Sequence, residues 1–450
     1  MENKTLVRDM TVGKLFPMMI SFTLPFMLAN LLQTLYTVAD LAIVGHCGQD
    51  SALAAVSISS QVTVLLTLIS AMVANGGQIY IAQLIGQKRK DELNAAIGTF
   101  FSFSLILAVF ATVLGVGFAR PLLRWMNTPE VAMGPAVEYL VVCSLGFIFV
   151  FGYNSVCAVL RGMGESKAPT VFVAVTAGVN VLADLLLVLV FDMGAMGAAI
   201  ATVLSQAAAF FAALRFLYRR RAEAGFDFKA SSFAMKGDKL SVMVRLSLPL
   251  VVMQFAINLS MMYINSHIND YGVAAAAISG IGNKLYGVVN MVSSAFGSAL
   301  ATVVGQNMGA GRHDRVRQGM FLAVCMNLCF FALVAAVSCL FPRSVFRIFT
   351  NDPDILALAA QYLRIAIWAY LAFALMQPAL GLMNGVGATG LSLCVGVLDG
   401  VVARIGLSLG LGAQYGMWGY FWGYCLAGLV SAILGWLYFF SGRWKHRKPL

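Results

Sequence analysis

The chain has 450 residues, 60% hydrophobic and 11% charged, with a formal net charge of +11 and a mean hydropathy of +0.84. Soluble domains carry about a quarter charged residues, so a water-soluble enzyme, a disordered chain and a nucleic-acid binder are excluded. A membrane-spanning helix takes about 20 apolar residues, and the apolar content supplies about a dozen of them.

Apolar runs separated by short polar or Gly/Pro breaks predict spans over 15–41, 52–80, 93–119, 136–159, 169–191 and 194–217. A second set follows over 240–267, 273–305, 319–341, 355–380, 391–411 and 415–440. All twelve are expected to be helices, because irregular backbone facing lipid leaves N–H and C=O groups unpaired. The first apolar stretch is too long for a secretory leader and lacks a small-residue cleavage site.

Lys and Arg orient these spans. With both termini in the cytoplasm, 23 of them fall in the tails and inner loops, among them Lys88, Arg89, Lys90 and the run Arg219–Arg221. Only Arg120, Arg124, Arg343 and Arg347 fall on the other side. The positive-inside bias therefore predicts both ends inside.

The longest polar stretch divides six spans from six, giving expected boundaries of 1–220 for an N-lobe, 221–239 for a cytoplasmic linker and 240–450 for a C-lobe. The halves repeat. Ala82-Gln83-Leu84-Ile85-Gly86 matches Gly305-Gln306-Asn307-Met308-Gly309 at a shift of 223, and Leu160-Arg161-Gly162-Met163-Gly164 matches Met383-Asn384-Gly385-Val386-Gly387 at the same shift. Leu24-Pro25 matches Leu248-Pro249, and Gly194-Ala195-Met196-Gly197 matches Gly416-Met417-Trp418-Gly419. An even number of spans per half predicts parallel lobes about an axis along the membrane normal, with alternating access to a cleft on that axis.

Of the 19 Asp and Glu, Asp40, Asp184 and Asp399 lie clearly within predicted spans, with Glu138 at the edge of one. Intramembrane acids are costly and face bundle interiors or aqueous cavities. Asp40 shares a helical flank with Gln33, Tyr36 and Thr37, and Asp184 follows Asn180 by one turn. A partly desolvated carboxylate can carry protons. Asp399 shares its half with Lys284 and Arg404 and reads as a neutralised structural cluster, with substrate contact as the other role. His46, His267, His313 and His446 show no metal spacing. The eight cysteines read as small buried hydrophobes.

Taken together, these motifs resemble the MATE family, the multidrug and toxic compound extrusion transporters. Leu35-Tyr36-Thr37-Val38-Ala39-Asp40, leading to Val44-Gly45, and Gly194-Ala195-Met196-Gly197-Ala198-Ala199 carry the likeness with the repeated blocks above. The resemblance implies an all-α membrane protein of twelve helices in two pseudo-symmetric six-helix lobes. It also implies antiport of small organic, often cationic, compounds against H+ or Na+, in a bacterial inner membrane, with no cofactor and no nucleic-acid partner, as a monomer. Carried onto this sequence, its cation site comprises Asp40, Asn180 and Asp184, with Tyr139, Thr202 and Asn154 by position. Gln33, Tyr36, Gln254 and Asp399 are substrate-cleft candidates, and Pro25, which breaks a backbone bond in span one, is the hinge. Gln254 stands where the NorM-like branch has a glutamate, and 355–380 contains no acid. The chain is therefore more similar to the DinF-like and related bacterial branches, with coupling expected in the N-lobe. A lipid-linked oligosaccharide flippase is the alternative within the superfamily. A membrane-embedded enzyme would need a nucleophile–base pair or metal ligands at membrane depth, which the spacing does not supply.

Overall fold

The computed structural model describes residues 6–45 and 50–450; His46 and Cys47 lie outside the described residues. The first half contains α1 (Leu15–Gly45), α2 (Asp50–Gly86), α3 (Lys90–Gly117), α4 (Ala119–Trp125), α5 (Glu130–Leu145), α6 (Phe147–Gly162), α7 (Lys167–Asp184) and α8 (Gly194–Arg219). After the short α9 (Arg221–Ala224) come α10 (Gly237–Asn269), α11 (Val273–Gly309), α12 (His313–Leu340), α13 (Pro342–Arg347), α14 (Pro353–Gly385), α15 (Thr389–Val397), α16 (Arg404–Tyr415) and α17 (Met417–Phe440). No strand occurs among the described residues.

The repeat survives folding. Helices α2 and α11 are each 37 residues long and end on Gly86 and Gly309, and α3 and α12 are each 28. Both halves carry a π-helical segment at the same stage, Leu185–Val190 after α7 and Leu398–Ala403 between α15 and α16. Gly194 and Gly416, matched by the repeat, both have positive φ, +51° and +60°. That backbone suits glycine because it has no Cβ to clash.

Among the described residues, eleven spans, the α7 and α15–α16 helices counted with their π segments, are long and apolar enough to cross a bilayer, and α5 with α6 makes a twelfth bent by 43°. The sequence predicts that span as one run over 136–159. The bend falls at Gly146, whose N–H is shared between the Val142 and Cys143 carbonyls and whose missing Cβ gives room to Val203. The apolar side chains that leave the interior, such as Phe110 and Val113 on α3, match a surface facing lipid rather than water. The protein is a multi-pass membrane protein.

Two compact units divide the chain, and they do not part at the linker. One is Leu24–Ser247 with the segment up to Asp9; the other is Met10–Thr23 with Leu248–Leu450. The boundaries differ from the expected 220 and 240 because the intervening segments find other partners. Residues 226–236 seat on α3, where Asn94 donates to Ser232 at 3.2 Å and Ser102 to the Phe233 carbonyl at 2.6 Å. Gly98 on α3 has no side chain to obstruct the Ser232 carbonyl, and the Phe101, Phe226 and Phe233 rings pack together. The first turns of α1 belong to the second unit, where Met19 and Phe22 are buried with Val303 and Met320. Asn307 and Arg315 donate to the Met10 carbonyl there. Both crossings, in α1 and in α10, fall at the repeated Leu-Pro pair.

In the first unit α2 packs on α5 and α6, and α7 on α8; in the second, α14 packs on both α11 and α17. Gly297 and Gly381 let α11 and α14 touch backbone to backbone: a Cβ on Gly381 would meet the Gly297 carbonyl. Small residues at such interfaces replace the hydrophobic drive that lipid does not provide.

Candidate ion-coupling site

Helix α1 carries Asp40 into the first unit, where its carboxyl is 8% exposed. Asp184 is the last residue of α7 and is fully buried. The π segment begins at the next residue, and the wider turn is marked by the Phe191 N–H bonding back to the Leu186 carbonyl at 2.9 Å. Such widened turns recur at functional positions in helices. The two carboxyls lie within hydrogen-bonding reach of each other. Ionised carboxylates can only accept, so neither can satisfy the other. Among the described residues, Asp40 Oδ1, both Asp184 oxygens and the Asn180 Oδ1 one turn earlier have no donor.

Aromatic and amide groups surround the acids. Tyr139 of α5 is buried, lies near Asp40 and Cys143, and accepts from Ser60 of α2 at 3.3 Å. Tyr36, one turn before Asp40, is reached by the Gln206 amide of α8. Tyr153 of α6 lies near Tyr36. Gln206, Ser60 and Tyr153 are absent from the sequence-derived set. Gln206 is a lone amide in an Ala/Phe run four residues after Thr202, and that isolation is the signal that marks it.

The remaining expected residues are placed as follows. Thr202 is half-buried on α8, and its carbonyl accepts from Ser205 at 2.8 Å. Asn154 donates to Ser70 at 3.0 Å and braces α6 against α2. Gln33 is exposed, and its carbonyl accepts from Thr37. Pro25 sits inside the unbroken α1, its carbonyl accepting from Thr170 at 2.6 Å. Gln254 is half-buried on α10, where its carbonyl accepts from Asn258 at 2.8 Å.

Asp399 stands apart, in the π segment of the second unit. Ser431 donates to it at 2.9 Å, and Arg404 approaches to 3.7 Å while lying over the Tyr424 ring. Lys284, expected in this group, is exposed and sits over Phe349 instead. The cysteines also divide. Cys143, Cys157 and Cys425 are buried, whereas Cys325, Cys329, Cys339 and Cys394 are exposed. A lipid-facing surface is as apolar as a core, so both accept a small hydrophobe.

A helical membrane body with an internal repeat and a buried acid pair belongs to a transporter. The MatE family model matches residues 25–186 and 249–409, one block from each half, beginning at the two prolines. The chain belongs to the MatE family, a family of membrane transporters rather than enzymes. It is 29% identical over 452 aligned residues, 98% of each chain, to the probable multidrug resistance protein YpnP of Bacillus subtilis (strain 168). It is 26% identical to the probable multidrug resistance protein NorM of Thermotoga maritima, over 96% of this chain and 94% of that one. Among solved structures, a MOP superfamily transporter from Pyrococcus furiosus superposes with a TM-score of 0.88 at 22% identity, over 97% of both chains. The Vibrio cholerae MATE transporter VcmN gives 0.88 at 19%, over 95% of this chain and 97% of that one.

Proposed function

We propose that this protein is a secondary active multidrug exporter, exchanging small organic cations for protons by alternating access, with the Asp40–Asp184 pair as the coupling site. The observation that carries the reading is the proximity of two buried carboxyls, three of whose four oxygens lack donors among the described residues. Two adjacent buried charges repel, and one shared proton converts the repulsion into a hydrogen bond. Protonation therefore favours a closed pair and ionisation an open one, the two-state element that coupling requires. Tyr36 and Tyr139 add ring faces that suit a cationic cargo.

Sodium is the competing coupling ion, since Asp40, Asp184 and Asn180 offer an all-oxygen set. We assign the protein to the inner membrane of a bacterium as a monomer with no bound cofactor or nucleic acid, and both termini to the cytoplasm on the distribution of Lys and Arg. An oligosaccharide flippase is not favoured, because the similar transporters YpnP and NorM are named for multidrug resistance.

Ethidium accumulation in inverted vesicles, driven separately by a proton and a sodium gradient, tests the reading. Accumulation under the proton gradient alone is expected. Accumulation under the sodium gradient alone reassigns the ion, and accumulation under neither overturns the antiport reading.

A further inference from the structure

The inner end of α8 carries a feature the transport reading does not use. Leu204, Phe211, Arg215 and Tyr218 recur at helical spacing on one face, and all four are exposed, with Tyr218 at 51%. Apolar side chains thus run along the lipid-facing wall and end in an arginine and a tyrosine, with Arg219 one turn beyond Arg215. Arg221 folds back over the Tyr218 ring at 4.7 Å and donates to the Tyr218 carbonyl at 3.4 Å. Arg215, Arg219 and Arg221 thus lie within two turns of one another where the helix leaves the apolar zone, with Arg221 against the phenol ring.

The nearby acids do not neutralise them. Glu223 accepts from the Leu6 N–H at 2.7 Å and faces Arg220 at 3.9 Å. Asp227 accepts from the Ser232 hydroxyl and from the Lys229 N–H. Arg215 and Arg219 make no ion pair among the described residues. Arginine presents a planar fork that matches phosphate oxygens in pairs, and basic clusters next to a membrane helix attract anionic headgroups.

We propose that Arg215, Arg219 and Arg221 form a binding site for an anionic phospholipid. Its phosphodiester is held by the guanidinium groups, its headgroup lies against Tyr218, and an acyl chain runs along Phe211 and Leu204. The site depends on the membrane-spanning fold and not on the coupling ion, so it can fail or stand independently of the antiport reading.

Native mass spectrometry of the purified full-length protein, equilibrated in detergent with equal POPC and POPG, reads the site without transport. The unmodified protein is expected to retain POPG severalfold over POPC, and Arg215→Gln/Arg219→Gln to lose that preference. Arg215→Lys/Arg219→Lys, which keeps the charge but not the fork, is expected to fall between them and serves if the glutamine variant does not fold. Excess glycerol 3-phosphate is expected to leave POPG bound. Equal retention of both lipids by the unmodified protein, undiminished preference in both double variants, or release of POPG by glycerol 3-phosphate would each overturn the proposal.

Discussion

The carboxyl of Asp40 on α1 meets that of Asp184 on α7, and Asp184 sits at the residue where the helix widens into a π turn. Two neighbouring carboxyls buried in a membrane protein call for a proton or a cation between them.

Asp40→Asn is expected to reduce gradient-driven ethidium efflux by about 5- to 150-fold, the span of a coupling free energy of about 1–3 kcal/mol. The amide is nearly isosteric and can donate to Asp184, so membrane insertion and thermal stability should hold. Asp184→Asn is expected to match it or fall less, and the double variant should cost no more than the worse single one, because the residues act as a unit. Efflux assays at matched expression check all three.

The second acid site predicts a different signature. Arg404→Met leaves Asp399 buried with Ser431 as its remaining partner, and removing one member of a buried pair costs about 3–5 kcal/mol. Thermal unfolding of Arg404→Met should shift down sharply, and Asp399→Leu/Arg404→Met should recover much of the loss. Loss of efflux in Asp399→Asn at unchanged thermal stability would instead give this residue a direct part in transport.

Helix contact through glycine gives a packing prediction. Gly381→Ala drives a Cβ into the Gly297 carbonyl, whereas Gly390→Ala faces open space. Overpacking of this kind costs about 1–3 kcal/mol. A thermal melt should therefore separate the two variants, with Gly381→Ala lower and Gly390→Ala unchanged.

The linker carries a pH prediction. The Ser232 hydroxyl and then the Lys229 N–H, both donating to Asp227, hold its carboxyl below the usual carboxylate range. A group lowered in the folded state contributes stability that is present above its unfolded value and lost as pH falls through the folded one. Hydrogen exchange over residues 226–236 is therefore expected to stay slow from neutral pH through mild acid, and to quicken only below the ordinary carboxylate range after correction for intrinsic rates. Asp227→Asn should remove that acid step.

Much of the fold was legible because lipid imposes long apolar runs, and the repeat at 223 residues appears again in the equal lengths of α2 and α11. Asp40 and Asp184 stood out for the same reason, as acids where acids are costly. Asn180, Tyr36 and Tyr139 came with them, but other residues around them did not. Gln206 and Ser60 enter the cluster through tertiary packing of α8 and α2; the isolation of Gln206 marks it as unusual, but no local pattern encodes its partners. The bend at Gly146 was hidden because a glycine in an apolar run reads equally as straight helix. The crossing of α1 between units at Leu24-Pro25 follows from partners almost 300 residues away, such as Met10 with Asn307.

The most direct test of the central claim is proton release on cargo binding. Ethidium is added to purified protein in weakly buffered solution with a pH indicator, and the protons released are measured per protein. The account predicts release from the unmodified protein near neutral pH and none from Asp40→Asn, with ethidium still bound in both. Equal release from the two proteins, or ethidium binding without release in the unmodified one, would contradict it.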